Sequence, residues 1–138
     1  MESTDRALAY AILRFTLGIN IVLHGVQRFP TWGTFAAGVV KQFHGILPAI
    51  VVEPYAYALP AIEAIVGILL VSGLFTRTAL VAGALFMASL TFGTALRGEH
   101  DVLAEQLGYE LVYAVLLATA TWDRYSLDRL RGGIASRS

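Results

Sequence analysis

Four long apolar runs dominate this chain, and they decide its solvent before any other feature is weighed. They extend from about Ala7 to Gln27, Tyr55 to Leu74, Thr78 to Leu96 and Val102 to Trp122. Each is close to the ~20 residues that cross ~30 Å of hydrocarbon at ~1.5 Å rise per residue. None alternates with the period of two that a half-buried strand needs, and each is too long for a barrel strand. Charged residues make up 14% of the 138 and hydrophobic residues 57%, too few charges to clothe a water-exposed domain of this size. The expected fold is therefore all-α: a single integral membrane domain over residues 1–138, built as a four-helix bundle with lipid as its solvent.

The first run follows a short mixed-charge start containing Asp5 and Arg6. It is longer than the core of a signal peptide and no small-residue cleavage site follows it, so it is expected to be a retained helix. Phe75, Thr76 and Arg77 alone join the second and third runs, which must then be antiparallel neighbours. With four spans both ends of the chain share one side. That side gathers Arg6, Arg77, Arg124, Arg129, Arg131 and Arg137, against Arg28, Lys41 and Arg97 on the other. The positive-inside rule then places both termini, and a tail over 123–138, in the cytoplasm of a bacterial or archaeal cell, with the spans in its cytoplasmic (inner) membrane. Trp122 and Tyr125 fall where an interfacial aromatic belt is expected.

The longest connection, Arg28 to Pro54, is too rich in Pro, Gly and polar residues for a fifth span. Trp32, Phe35, Val39, Phe43 and Ile46 nevertheless recur in it at helical spacing. That stripe predicts a short amphipathic interfacial helix between helices one and two, lying on the outer face or dipping in as a lid; a packing loop that closes the bundle is the alternative. Span three carries Ala79, Gly83, Ala84, Ala88, Ser89 and Gly93, small residues that let helices approach closely in lipid. They assign it to scaffolding, inside the bundle or in a homodimer.

With no cysteine, disulfides, thiol redox chemistry, iron–sulfur clusters and thiolate zinc sites are excluded. Zero formal net charge and the lack of a basic stripe argue against nucleic acid as a partner. Phosphate-binding glycine loops, nucleophile elbows and haem-attachment motifs are absent. His24, His44 and His100 are expected on one side, but their spacing matches no metal motif, and no metal is expected.

What remains informative is the set of ionisable residues inside the runs. Arg14, Glu63 and Glu110 each lie about eight residues into a span, where a charge costs ~2.5–3.5 kcal/mol on insertion scales. The expected economy is that they meet, with the planar fork of Arg14 bridging Glu63, Glu110 or both. Asn20 and His24 share a face of span one. Gln106, Glu110 and Tyr113 follow at spacings of four and three in span four, with Tyr109 alongside. Together these would line a polar pocket open to the outer face and floored by the charged cluster, suited to a quinone or another small aromatic molecule. The plainer reading is that such residues only fix helix register, as interhelical glue worth ~0.6 kcal/mol each.

The motifs resemble those of the DoxX family. Arg14-Phe15-Thr16-Leu17-Gly18 followed by His24-Gly25 is similar to its first-helix pattern. Glu63 with Gly67, then Gly73-Leu74-Phe75-Thr76-Arg77, resembles its second helix and turn. Gly108-Tyr109-Glu110 resembles its fourth helix, and Ser126-Leu127-Asp128 the segment that follows. The connection from Arg28 to Pro54 departs from the pattern. The resemblance implies a four-helix membrane fold and a leaning toward quinone-linked redox work, since the family takes its name from a subunit of an archaeal thiosulfate:quinone oxidoreductase. Arg14, His24, Glu63, Tyr109 and Glu110 are the positions it carries over. The function expected is that of a membrane subunit of a quinone-linked oxidoreductase, with Arg14, Glu63 and Glu110 catalytic and Asn20, His24, Gln106, Tyr109 and Tyr113 binding the substrate. Quinone is the expected cofactor and a soluble or membrane redox protein the expected partner. The alternative is a non-catalytic anchor or assembly subunit; a carrier is disfavoured by the lack of repeats and broken helices.

Overall fold

The computed structural model describes residues 3–135; Arg137 and the last of the tail lie outside the described residues. The described chain is all-helical: α1 (Ser3–Arg28), α2 (Trp32–Gln42), α3 (Ala49–Ser72), α4 (Thr76–Arg97), α5 (His100–Ala118) and α6 (Leu127–Ala135), with 3-10 turns at Phe29–Thr31 and Ala120–Trp122. Three stretches are long and apolar enough to cross a membrane: α1, which is continuous with α2 by way of the turn, α3 and α4. α5 is shorter and carries Asp101, Glu105 and Glu110. Large apolar side chains cover the outside, among them Ile12, Ile65, Ile68, Leu85 and Phe92, each more than half exposed. A water-exposed protein does not present so continuous an apolar surface. The protein is a multi-pass membrane protein.

Each long helix covers residues before the apolar run that announces it, while α3 ends at Ser72 and α5 at Ala118, short of the expected Leu74 and Trp122. α1 is helical from Ser3, the first described residue, and Asp5 in its first turn favours the helix dipole. α3 starts six residues before the expected Tyr55, with Pro48 just outside it and Pro54 and Pro60 inside. Prolines are tolerated inside helices of membrane proteins, where neighbouring groups re-satisfy the freed carbonyl. α2 fills the long connection and packs on α3, where Trp32 Nε1 donates to the Tyr57 carbonyl at 2.8 Å.

α1 and α3 form the most extensive contact, in a close antiparallel register. Gly18 lies against Val71, Val22 against Gly67 and Gly25 against Ala64. A Cβ placed on Gly18 or Gly25 would sit 2.6–2.7 Å from backbone nitrogens of α3, so the pair can approach this closely only with glycine. α4 packs on α5 through Gly83, which the Tyr113 ring covers. Tyr10, Leu17, Ile21, Leu70, Leu80, Tyr113 and Leu116 form the core between these helices.

The turn between α3 and α4 is fastened from two sides. Gly73, at φ 66°, ends α3 in the left-handed conformation that glycine adopts without penalty. Beyond it the Asp128 carboxylate accepts from Phe75 N at 2.8 Å and Thr76 N at 2.7 Å, filling the orphan donors at the start of α4. Burial alone would raise the Asp128 pKa, but these amide donors and Arg131 outweigh it and hold the carboxyl below its usual value. A depressed carboxylate contributes stability above its unfolded pKa of ~3.9 and loses it as pH falls through the lower folded value. Asp128→Asn is therefore expected to lower the melting temperature at pH 7 and to flatten its decline below about pH 4. Melting curves of both proteins from pH 7 to pH 3 check this; parallel curves would remove Asp128 from the account.

Candidate functional site

At one end of the molecule α2 lies over a cavity of about 170 Å³ between α3, α4 and α5. Its polar lining comes from Arg28, Gln42, Tyr55, Glu63, Ser89, Arg97 and Gln106, and its apolar roof from Phe35, Val39 and Phe43. Two arginines organise it. Arg28, at the last turn of α1, donates to the Glu63 carboxylate and stacks over the Phe35 ring at 4.7 Å. Arg97, at the last turn of α4, donates to the Gln42 amide oxygen and pairs with Glu99 at 3.0 Å. It also stacks over Phe43 at 5.1 Å. Each guanidinium thus holds a polar partner and an aromatic ring of the roof at once, the planar cation being suited to both.

Glu63 is only 5% exposed, so its charge is held by Arg28 rather than by water. Tyr55 and Ser89 share a hydroxyl hydrogen bond of 2.5 Å. Two buried polar atoms on the lining, Arg97 Nε and Gln106 Oε1, have no hydrogen-bond partner among the described residues. One is a donor and the other an acceptor. An unmet buried polar group costs ~1–3 kcal/mol, and the pair marks where a ligand with oxygens of both kinds would be held.

The expected meeting of Arg14 with Glu63 and Glu110 does not occur. Glu63 lies level with Gly25 of α1, whose Cβ position it approaches at 3.0 Å. Arg14 lies about three helical turns away, roughly 16 Å along the axis, beside the end of α3. Its Nη1 donates to the carbonyls of Leu70 and Val71, and its Nη2 to the Tyr125 carbonyl at 2.6 Å. Nε faces the Asp123 carboxylate at 3.9 Å, an ion pair without a hydrogen bond. Counting inward from apolar boundaries misjudged the depth, because α1 and α3 overlap with a stagger and α2 covers the rest of α3. Arg14 is a cap on the α3 C-terminus, where carbonyls lack helical partners and a cation is favoured.

The other expected residues divide. Gln106 joins Glu63 in the cavity wall. Tyr113 is 1% exposed and packs on Gly83 within the core, away from the cavity lining. Asn20 accepts from the Tyr109 hydroxyl at 3.0 Å, tying α1 to α5, and Glu110 accepts from Thr91 at 3.1 Å, tying α4 to α5. His24 is exposed and outside the cavity lining. Arg28, Arg97, Tyr55 and Gln42 were missed. Arg28, Gln42 and Arg97 stand at helix ends, where charge is counted for orientation before asking which carboxylate or ring lies opposite, and Tyr55 lies in the second turn of α3. Among the described residues no three His, Asp or Glu converge as a metal would require.

A family model described as DoxX matches residues 9–95, well over half of the chain. The match spans α1 to α4 nearly completely and contains Arg14, Arg28 and Glu63; Gln106, Tyr109 and Glu110 lie beyond it. No curated protein and no solved structure matches.

Proposed function

Starting from the fact that this chain belongs to the DoxX family, we propose that it is a membrane subunit of a quinone-linked oxidoreductase that binds a quinone headgroup beneath α2. The observation that carries the reading is the unpartnered donor and acceptor, Arg97 Nε and Gln106 Oε1, on one small polar cavity. At about 170 Å³ the space suits a single ring rather than the larger molecules that fill pockets of ~300–1,000 Å³. A quinone, when bound, supplies the two-electron chemistry that a chain without cysteine cannot. Arg97 orients a ring oxygen, Gln106 accepts from a hydroxyl, and the Glu63 carboxylate, held by Arg28, takes up or gives a proton at the cavity wall. Phe35 and Phe43 exclude water from above. Electrons reach the site from a redox partner protein.

In this reading α5 is the fourth span of a bundle. Leu107, Leu111 and Val115 are exposed on its outer face. α2 is the interfacial helix, and the arginine-rich end faces the cytoplasm of a bacterial or archaeal cell. A homodimer through α4 fits the same picture.

The test is a photoreactive benzoquinone, reduced to its hydroquinone, bound to the purified protein in lipid nanodiscs, with the labelled residues mapped by peptide mass spectrometry. Label is expected on the cavity wall, and Arg97→Ala and Gln106→Ala are each expected to reduce it about tenfold. Label spread evenly over lipid-facing residues would refute quinone binding here. A second reading, a non-catalytic anchor for a redox protein, draws on Arg14, whose contacts are wholly structural. A stoichiometric protein partner together with an unlabelled cavity would favour it.

A further inference from the structure

At the opposite end of the molecule a groove of about 580 Å³ runs between α1 and the segment leading into α6. Its walls are largely apolar: Ile12 and Phe15 on the outer face of α1, Val71 at the end of α3, Leu127 and Leu130 on α6. Ile12, Phe15, Leu127 and Leu130 are between 43% and 64% exposed, so the groove opens on the surface that faces lipid. At its polar end stand Arg14, Arg124 and Ser126.

The charges there are divided unequally. Arg14 is spent on carbonyls and on Asp123. Arg129 donates to the Asp123 carbonyl, Arg131 lies over Phe75, and Arg6 lies over Trp122. Asp123 and Asp128 are engaged inside the fold, Asp123 facing Arg14 and Asp128 capping α4. Arg124 has no carboxylate partner among the described residues, and beside it Ser126 is 93% buried, its hydroxyl without a hydrogen-bond partner among them. A free cation and an unmet hydroxyl donor therefore meet at the head of an apolar, lipid-facing groove.

We propose that this groove holds one anionic phospholipid, its phosphate between Arg124 and Ser126 Oγ and an acyl chain along Phe15, Leu127 and Leu130. A free phosphate has no use for the apolar walls, and an uncharged lipid has none for the cation. A phospholipid with net negative charge satisfies both. The α6 segment, with arginines and exposed leucines side by side, has the composition of a helix that lies at an anionic membrane surface. The site stands apart from the cavity beneath α2, and either reading can fail without the other.

The experiment is native mass spectrometry of the full chain in mild detergent, titrated with phosphatidylglycerol and phosphatidylcholine of identical acyl chains. The expected result is one tightly held phosphatidylglycerol per chain in preference to phosphatidylcholine. Arg124→Gln is expected to weaken it about fivefold, the effect of one arginine at an anionic surface. Ser126→Ala reduces it in the same direction. Arg77→Gln, at the same end but outside the groove, leaves it unchanged. Equal binding of the two lipids would overturn the proposal, as would equal losses from Arg124→Gln and Arg77→Gln, which would mark diffuse attraction. Displacement of the lipid by millimolar inorganic phosphate would identify a free-anion site and also overturn it. Circular dichroism of each variant confirms that it is folded.

Discussion

Arg14→Met is expected to remove most of the folded protein from mild detergent, a larger loss than any single change in the cavity beneath α2. Methionine keeps much of the apolar stem but leaves the carbonyls of Leu70, Val71 and Tyr125 without their donor and the Asp123 carboxylate without its ion-pair partner. Arg14 is 3% exposed, so water cannot replace what is lost. Breaking a buried charge pair by deleting one member costs ~3–5 kcal/mol, a large share of the ~5–15 kcal/mol that holds a typical domain together. Size-exclusion profiles and melting curves measure this. Adding Asp123→Asn to Arg14→Met is expected to recover part of the loss, because it removes the stranded carboxylate. A variant as stable as the parent would show that Arg14 does not fasten the α3 end.

The second large effect is expected at Gly67. A Cβ there would stand 2.6 Å from Val22 Cα and 2.7 Å from its Cβ, and a backbone atom cannot swing aside as a side-chain tip can. Gly67→Ala must push α1 from α3 along their whole contact, which also runs through Gly18 and Gly25. Overpacking of this kind costs ~1–3 kcal/mol, and lipid offers no hydrophobic compensation for helices that separate. Gly108, with nothing within 4 Å of its Cβ position, is the control. Gly108→Ala is expected to be neutral or to stabilise α5 by up to ~1 kcal/mol. Thermal melts of the two alanine variants decide the matter, and similar values would refute the close-contact account.

Much of the fold was legible because its causes are local. Apolar length announced the membrane helices, and the stripe from Trp32 to Ile46 announced a helix in the long connection, which forms over Trp32–Gln42. The motifs around Arg14, Glu63 and Gly73 pointed to the family that the match over residues 9–95 supports. The site was legible only in part, because it depends on how far one helix slides along another. Glu63 and Gln106, expected around one polar pocket, lie on one cavity wall, whereas Arg14, expected beside Glu63, lies at the other end of the same helix pair. The stagger is set by Gly18, Gly25 and Gly67, and nothing in a list of apolar boundaries says which residue each glycine faces. Arg28 and Arg97 were overlooked for the same reason. Their importance lies in reaching Glu63, Phe35 and Phe43 across the bundle, and those partners are distant in the chain.

The Arg14 cap also has a bearing on the order in which the chain is made. α1 is made before the segments that Arg14 contacts, and its guanidinium enters the membrane with none of those partners yet synthesised. Leu70 and Val71 arrive only when α3 is complete, and Asp123 and Tyr125 after every long helix has been made. Until then the charge must be tolerated by local water or by the membrane surface. The arginine that fastens the finished protein is thus a burden on the nascent one, relieved only by segments made after the long helices.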